Sequence, residues 1–162
     1  MPARVKKKKP AQSERENVKK WGKVIAQSWT FVPSILLEKQ TELGLTPREL
    51  NILLQLFRHW WKADAPPFPS HATIAEACGC DRSTVQRTLK RLEKRGLIET
   101  THRTDAKHGG RTSNEYGFGG LIKEATYLAE EVAEERAQQS KRRKTTKKKL
   151  SKSRKGLRVV RE

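Results

Sequence analysis

Apolar residues recur at helical spacing along much of the chain. Over residues 34–43, Ile35, Leu36 and Leu43 alternate with polar residues behind Pro33, which predicts a first helix closed by Gly44. Thr46-Pro47-Arg48-Glu49 then supplies an N-cap, a proline at the first helical position and a glutamate at the third, which together make a capping box. The helix it opens is expected to run to about residue 62. Leu50, Leu53, Leu54 and Phe57 form its core-facing stripe at i, i+3, i+4 and i+7, and Trp60 and Trp61 finish the packing. Pro66, Pro67 and Pro69 remove donors and fix the backbone, so residues 64–69 read as a stiff non-helical connection.

From Ser70 the helical pattern resumes through Ile74, Ala75 and Ala77 and stops at Cys78-Gly79; a further helix starts after Asp81 as N-cap. Two helices crossing steeply need a small residue at the approach, a glycine where the turn has positive φ and an apolar residue where the second helix returns. Ala75, Gly79 and Val85 meet these needs in order, with Ile74, Cys78, Cys80 and Leu89 filling the buried positions around them. Gly96 suits the end of the second helix, which spans residues 82–95. Residues 98–103 and 115–118 then read as two strands around a polar, glycine-containing loop at 105–111, a small wing. Beyond Gly119-Gly120, residues 121–136 predict a last helix with Leu121, Ala125, Leu128 and Val132 in a short heptad-like seam. The fold class is therefore mainly α with a small β-wing, α+β.

Charge divides the chain more sharply than hydropathy does. The formal net charge is +18 over 162 residues. Residues 1–23 hold nine Lys/Arg against two acids and residues 138–162 hold twelve against one, while residues 24–137 carry fifteen of each and are neutral. That neutral stretch, a domain (24–120) followed by the helix at 121–137, thus lies between a basic arm (1–23) and a basic tail (138–162). Both ends lack the apolar residues that offset ordering entropy, so they are expected to be disordered when free. Polyanions attract such arms through counterion release, which points to nucleic acid rather than to a membrane surface.

Other classes fall away. No apolar run approaches the roughly 20 residues of a spanning helix, and the amino terminus has charge without an apolar signal region. Cys78 and Cys80 are too close to staple a fold and suit a reducing compartment; with the polyanion-seeking arms, a cytoplasmic, nucleoid-associated protein is expected. With His71 they make an incomplete zinc set, and they read better as small buried hydrophobes. Walker, HExxH, GxSxG and dinucleotide motifs are not found, so no enzyme, metal or cofactor is expected.

The run Ile74-Ala75-Glu76-Ala77-Cys78-Gly79-Cys80-Asp81-Arg82-Ser83-Thr84-Val85-Gln86-Arg87-Thr88-Leu89, continued to Gly96-Leu97-Ile98, resembles winged helix-turn-helix domains of bacterial regulators, including the MarR-like and GntR-like groups. Phe68-Pro69-Ser70 and the wing sequence Gly109-Gly110-Arg111-Thr112-Ser113-Asn114-Glu115-Tyr116 are similar to helix-turn-helix domains of phage and plasmid regulatory or replication proteins. The resemblance covers about residues 29–122 and leaves the arms outside. It implies double-stranded DNA as partner.

If the helix at 82–95 buries Val85, Leu89 and Leu92, its other face presents Arg82, Ser83, Thr84, Gln86, Arg87 and Lys90 to a major groove. Gln86 suits adenine, Arg82 or Arg87 suits guanine, and Ser83 and Thr84 suit phosphates or base edges. In the wing loop, Lys107 and Arg111 are expected on phosphate or in the minor groove, with His108 as a further phosphate contact. His102 receives no role. The bland reading of Arg87, Lys90, Arg91 and Lys94 is a solvated face. Against it, nine basic and three acidic residues fall between Arg82 and Arg111, within a stretch (24–137) that is neutral overall.

The acidic helix at 121–137 is expected either to dimerise or to pack on the first helix of its own chain. No small-molecule effector pocket is evident. The function expected is sequence-specific DNA binding as a transcriptional regulator. The alternative is a replication initiator or accessory protein of a plasmid, phage or integrated element. A histone-like or RNA-binding protein whose charge alone binds is the third reading.

Overall fold

The computed structural model describes residues 12–104 and 112–156. Along these, α1 (Gln12–Trp21), α2 (Lys23–Gln27), α3 (Ile35–Glu38), α4 (Pro47–Arg58), α5 (His71–Cys78) and α6 (Arg82–Lys94) precede β1 (Glu99–Thr101), β2 (Glu115–Gly117) and α7 (Gly119–Gly156). The fold class is the expected α+β arrangement, with one two-stranded antiparallel sheet among the described residues.

The capping box forms as read: Glu49 N donates to Thr46 Oγ1 at 3.3 Å, and Thr46 N donates to Glu49 Oε2 at 2.8 Å. α4 buries a broader face than its leucine stripe suggested. Ile52, Leu53 and Leu56 have no exposed surface, Leu50 and Phe57 are also buried, and Leu54 is only half-buried. Each such side chain contributes about 1.5–3 kcal/mol on leaving water. The helix ends at Arg58 rather than near residue 62, with His59 as C-cap. Leaving the helix lets Trp60 pack on Phe118, ring centroids 5.0 Å apart, and Phe118 in turn meets Phe57 edge-on. Trp61 does not finish the core; it is 69% exposed.

The helix expected over 34–43 is a single turn, α3, followed by irregular turns. Gln40 and Leu45 bind each other twice, Leu45 N donating to Gln40 O at 2.9 Å and Gln40 Nε2 donating to Leu45 O at 3.0 Å. This folds the chain so that Leu36, Leu43 and Leu45 all enter the core, which a straight helix would prevent. Gly44 takes φ +60°, and Arg95 from α6 donates to the carbonyls of Leu43 and Gly44, the latter at 2.9 Å. A β-carbon on Gly44 would come within 2.9 Å of Arg95 Nη2.

Both flanking segments contain helix where none was expected. α1 and α2 lie in and just after the amino-terminal arm, where Lys19 pairs with Glu16 at 2.7 Å; Val18, Trp21 and Val24 are exposed. α7 continues nearly twenty residues past the expected end. Residues 121–155 contain no glycine or proline to stop it. Its acids fall in the first half, and ten Lys/Arg with no acid fall between residues 137 and 156, an order that suits the helix dipole. The seam residues Leu121 and Ala125 are buried in the domain core, Leu128 packs against it, and α3 contacts α7, with Arg136 Nη2 2.9 Å from Glu38 Oε2. The first part of the seam thus packs on its own chain, α3 included.

Candidate nucleic-acid interface

α5 begins with Ser70 Oγ accepting from Thr73 N at 3.1 Å, and it ends at Gly79 with φ 60° and ψ 40°. That left-handed turn swings the chain into α6. Ala75 and Val85 are buried where the two helices approach, as the spacing required. α6 seats Val85, Thr88, Leu89 and Leu92 in the core. Thr88, an unexpected member of this face, satisfies its hydroxyl by donating to Thr84 O at 2.8 Å. Asp81 occupies the N-cap position without a side-chain cap bond.

The opposite face of α6 exposes Arg82, Ser83, Gln86, Arg87 and Lys90, while Thr84 is half-buried. Arg87 lies back along its own helix, with Nε 3.4 Å from Ser83 O and Nη2 3.4 Å from Thr84 Oγ1. These are long, weak contacts from which the guanidinium is easily released. Arg91 and Arg95 behave differently. Arg91 Nε lies 3.0 Å and Arg95 Nη1 3.9 Å from the buried Glu49 Oε1 on α4. Burial alone would raise the Glu49 carboxyl, but hydrogen bonds from Thr46 and the two arginines outweigh it and hold the group below the usual carboxylate range. The basic surface of α6 therefore has two parts: an outward set at its start and an inward, structural pair at its end.

The wing pairs Glu99 with Gly117, Thr100 with Tyr116 and Thr101 with Glu115. Both strands are shorter than expected. Buried Ile98 and Phe118 flank them and anchor the wing in the core. Tyr116 N donates to Pro67 O at 3.0 Å, so the proline segment lies along β2. Arg103, just past the end of β1, pairs with Glu115 at 3.2 Å and covers the Phe68 ring at 4.8 Å. Lys107, His108 and Arg111 lie outside the described residues.

Two further features escaped the sequence. A polar cleft of about 430 Å³ opens between the start of α5, the first two turns of α6 and the wing. It brings Arg82 and Gln86 beside His71, His102, Asn114 and Tyr116, which come from separate segments and share no motif. Burial lowers the His71 pKa, and Arg82 lowers it further. The second feature is apolar. An open apolar cleft of about 680 Å³ lies between the chain before α3, the end of α4 and the start of α7, lined by Trp29, Phe31, Trp60, Trp61, Phe118 and Ile122 among others.

Cys78 and Cys80 are free and half-buried. Burial, with the neighbouring Cys80, pushes the Cys78 thiol up, which favours the inert protonated form. Among the described residues no group of three or more His, Cys, Asp or Glu side chains is placed to hold a metal ion, and no helix is long and apolar enough to cross a membrane.

Helices α4 to α6, the left-handed turn at Gly79 and the two-stranded wing define a winged helix-turn-helix domain, a DNA-binding class of fold. Residues 43–98 match the profile of a family described as a helix-turn-helix domain. No curated protein matches the sequence. Among solved structures, the N-terminal domain of the DnaD protein from Geobacillus kaustophilus is similar at 24% identity and a TM-score of 0.50, over 76% of this chain and 96% of that one. A Staphylococcus aureus MepR–DNA complex is similar at 22% identity and a TM-score of 0.40, over 74% of this chain and 89% of that one.

Proposed function

We propose that the protein binds double-stranded DNA sequence-specifically as a transcriptional regulator, with α6 in the major groove. The observation that supports this most is the outward face of α6. Its polar residues stand on a helix whose other face is locked into the core, so their positions are fixed before DNA arrives. Gln86 and Arg87 have the donor and acceptor patterns for adenine and guanine edges; Ser83, Thr84 and Lys90 suit phosphates. Lys107, His108 and Arg111, with the basic segments at either end, would add phosphate affinity without sequence preference.

The test is selection of bound fragments from genomic DNA by the purified chain at about 150 mM salt, where purely electrostatic binding is partly screened. One enriched motif near promoters supports a regulator. Repeated motifs clustered at a plasmid or phage origin would instead support a replication initiator or accessory protein using the same surface. Gln86→Ala and Arg87→Ala are each expected to weaken binding to the selected site by about 1–3 kcal/mol and to leave binding to scrambled duplexes nearly unchanged. Equal losses on every sequence would leave only charge-driven binding.

A further inference from the structure

Trp29, Trp61 and Phe31 are 60%, 69% and 74% exposed. Rings of this size left in water together mark a binding surface. They are not scattered: with Trp60 and the half-exposed Ile122 they wall the apolar cleft between the chain before α3, the end of α4 and the start of α7.

The charged part of the lining narrows the choice of ligand. Arg58 and Lys62, both exposed, stand among the rings, and among the described residues no carboxylate lines the cleft. Rings set between cations fit a ligand that is flat and apolar on its faces and anionic along its edge. Single-stranded nucleic acid has that make-up, because its unpaired bases stack on aromatic side chains while its phosphates follow positive charge. In a duplex the same base faces are already covered by their neighbours. The cleft, at about 680 Å³, is also on the scale of a pocket for small flat groups rather than of a duplex. A membrane surface suits it less, since the rings wall a recess instead of forming an apolar helix face that lies in the interface. Thr30 and Thr126 bring the only hydroxyls of the lining. A ribose 2′-hydroxyl would therefore lie mostly against apolar walls, which favours deoxyribose.

We propose that this cleft binds single-stranded DNA, with Trp29, Phe31 and Trp61 stacking on its bases and Arg58 and Lys62 neutralising its phosphates. Among the described residues none of α6 lines the cleft, so the site is separate from the surface proposed to read a duplex. It gives the chain a second activity, which stands or falls independently of duplex recognition.

The experiment uses the full chain at about 150 mM salt, where binding by charge alone is partly screened. The probes are an oligothymidylate of about 20 nucleotides, an abasic strand of the same length and charge, an oligouridylate and a duplex, each read by fluorescence anisotropy. The wild type should bind the thymidylate about tenfold more tightly than the abasic strand, because only the former has bases to stack. Trp61→Ala and Phe31→Ala each remove an exposed ring and should abolish most of that advantage, with melting temperature and duplex affinity unchanged. Trp61→Phe keeps a ring and should restore part of it. Arg58→Gln should weaken the thymidylate and the abasic strand alike. Equal wild-type affinity for those two strands, or wild-type thymidylate affinity in both alanine variants, overturns the site and leaves duplex recognition standing. Oligouridylate bound as tightly as thymidylate overturns the assignment to DNA. If sedimentation shows that the alanine variants break up a dimer while thymidylate binding is kept, the face belongs to a second copy and the proposal falls. If the wild type binds thymidylate through these rings yet recognises no duplex, the proposed function fails and this site stands.

Discussion

Gly120→Ala is expected to cost about 4 kcal/mol or more, a large part of the total stability of a domain this size. A β-carbon at this position would sit 1.7 Å from Gly96 O and 2.8 Å from Gly96 C, both backbone atoms that no rotamer change can move. Gly96 is itself held at φ 69° in the turn out of α6, and Leu121 N donates to Leu97 O at 2.9 Å across the same junction. The start of α7 would have to lift away, taking Phe118, Leu121 and Ala125 out of the core. Gly119→Ala is the matched control. Its added carbon would meet only Glu99 Oε1, at 3.5 Å, and a change within about 1 kcal/mol is expected. Urea unfolding followed by circular dichroism reads both; equal midpoints for the two variants would contradict the packing described at this junction.

Glu49→Ala should cost about 3 kcal/mol, because one carboxylate serves two structures. It closes the capping box at the start of α4, and it holds Arg91 and Arg95 so that α6 is fastened across the domain. Glu49→Gln keeps the shape and one acceptor but loses the charge, so it should fall between wild type and alanine. The pH dependence has a definite sign. The folded carboxyl lies below its ordinary value of 4.5, so on acidification the unfolded chain takes up the proton first. The contribution of Glu49 is complete above about pH 5 and is lost as pH falls through the lowered folded value. Stability measured between neutral and acidic pH should therefore fall less steeply in Glu49→Ala than in the wild type. Parallel profiles would remove the linkage.

The features that could be read in the sequence are the ones whose cause is local. Thr46 and Glu49 sit three residues apart in one helical turn, so their reciprocal bonds follow from spacing. Ala75, Gly79 and Val85 likewise state the needs of one tight turn, and the outward face of α6 follows once Val85, Leu89 and Leu92 point inward. What was missed depends on partners far along the chain. Trp60 leaves α4 for Phe118, Arg95 crosses from α6 to the carbonyls of Leu43 and Gly44, and the polar cleft draws on four separate segments. The basic composition of the carboxyl-terminal stretch was read as lack of structure, although lysine, arginine and glutamine are good helix formers and nothing there interrupts a helix.

The clasp at Gly44 should also leave a mark in evolution. Its glycine leaves room for the guanidinium of Arg95, whose two carbonyl acceptors exist because the chain turns there with positive φ, and Glu49 supplies the neighbouring charge. A lineage that gains a side chain at position 44 displaces that guanidinium and removes the reason to keep an arginine at 95. Positions 44, 49 and 95 are therefore expected to change together among descendants of this chain, whereas the exposed Gln86 and Arg87, which take no part in the clasp, should vary independently of them.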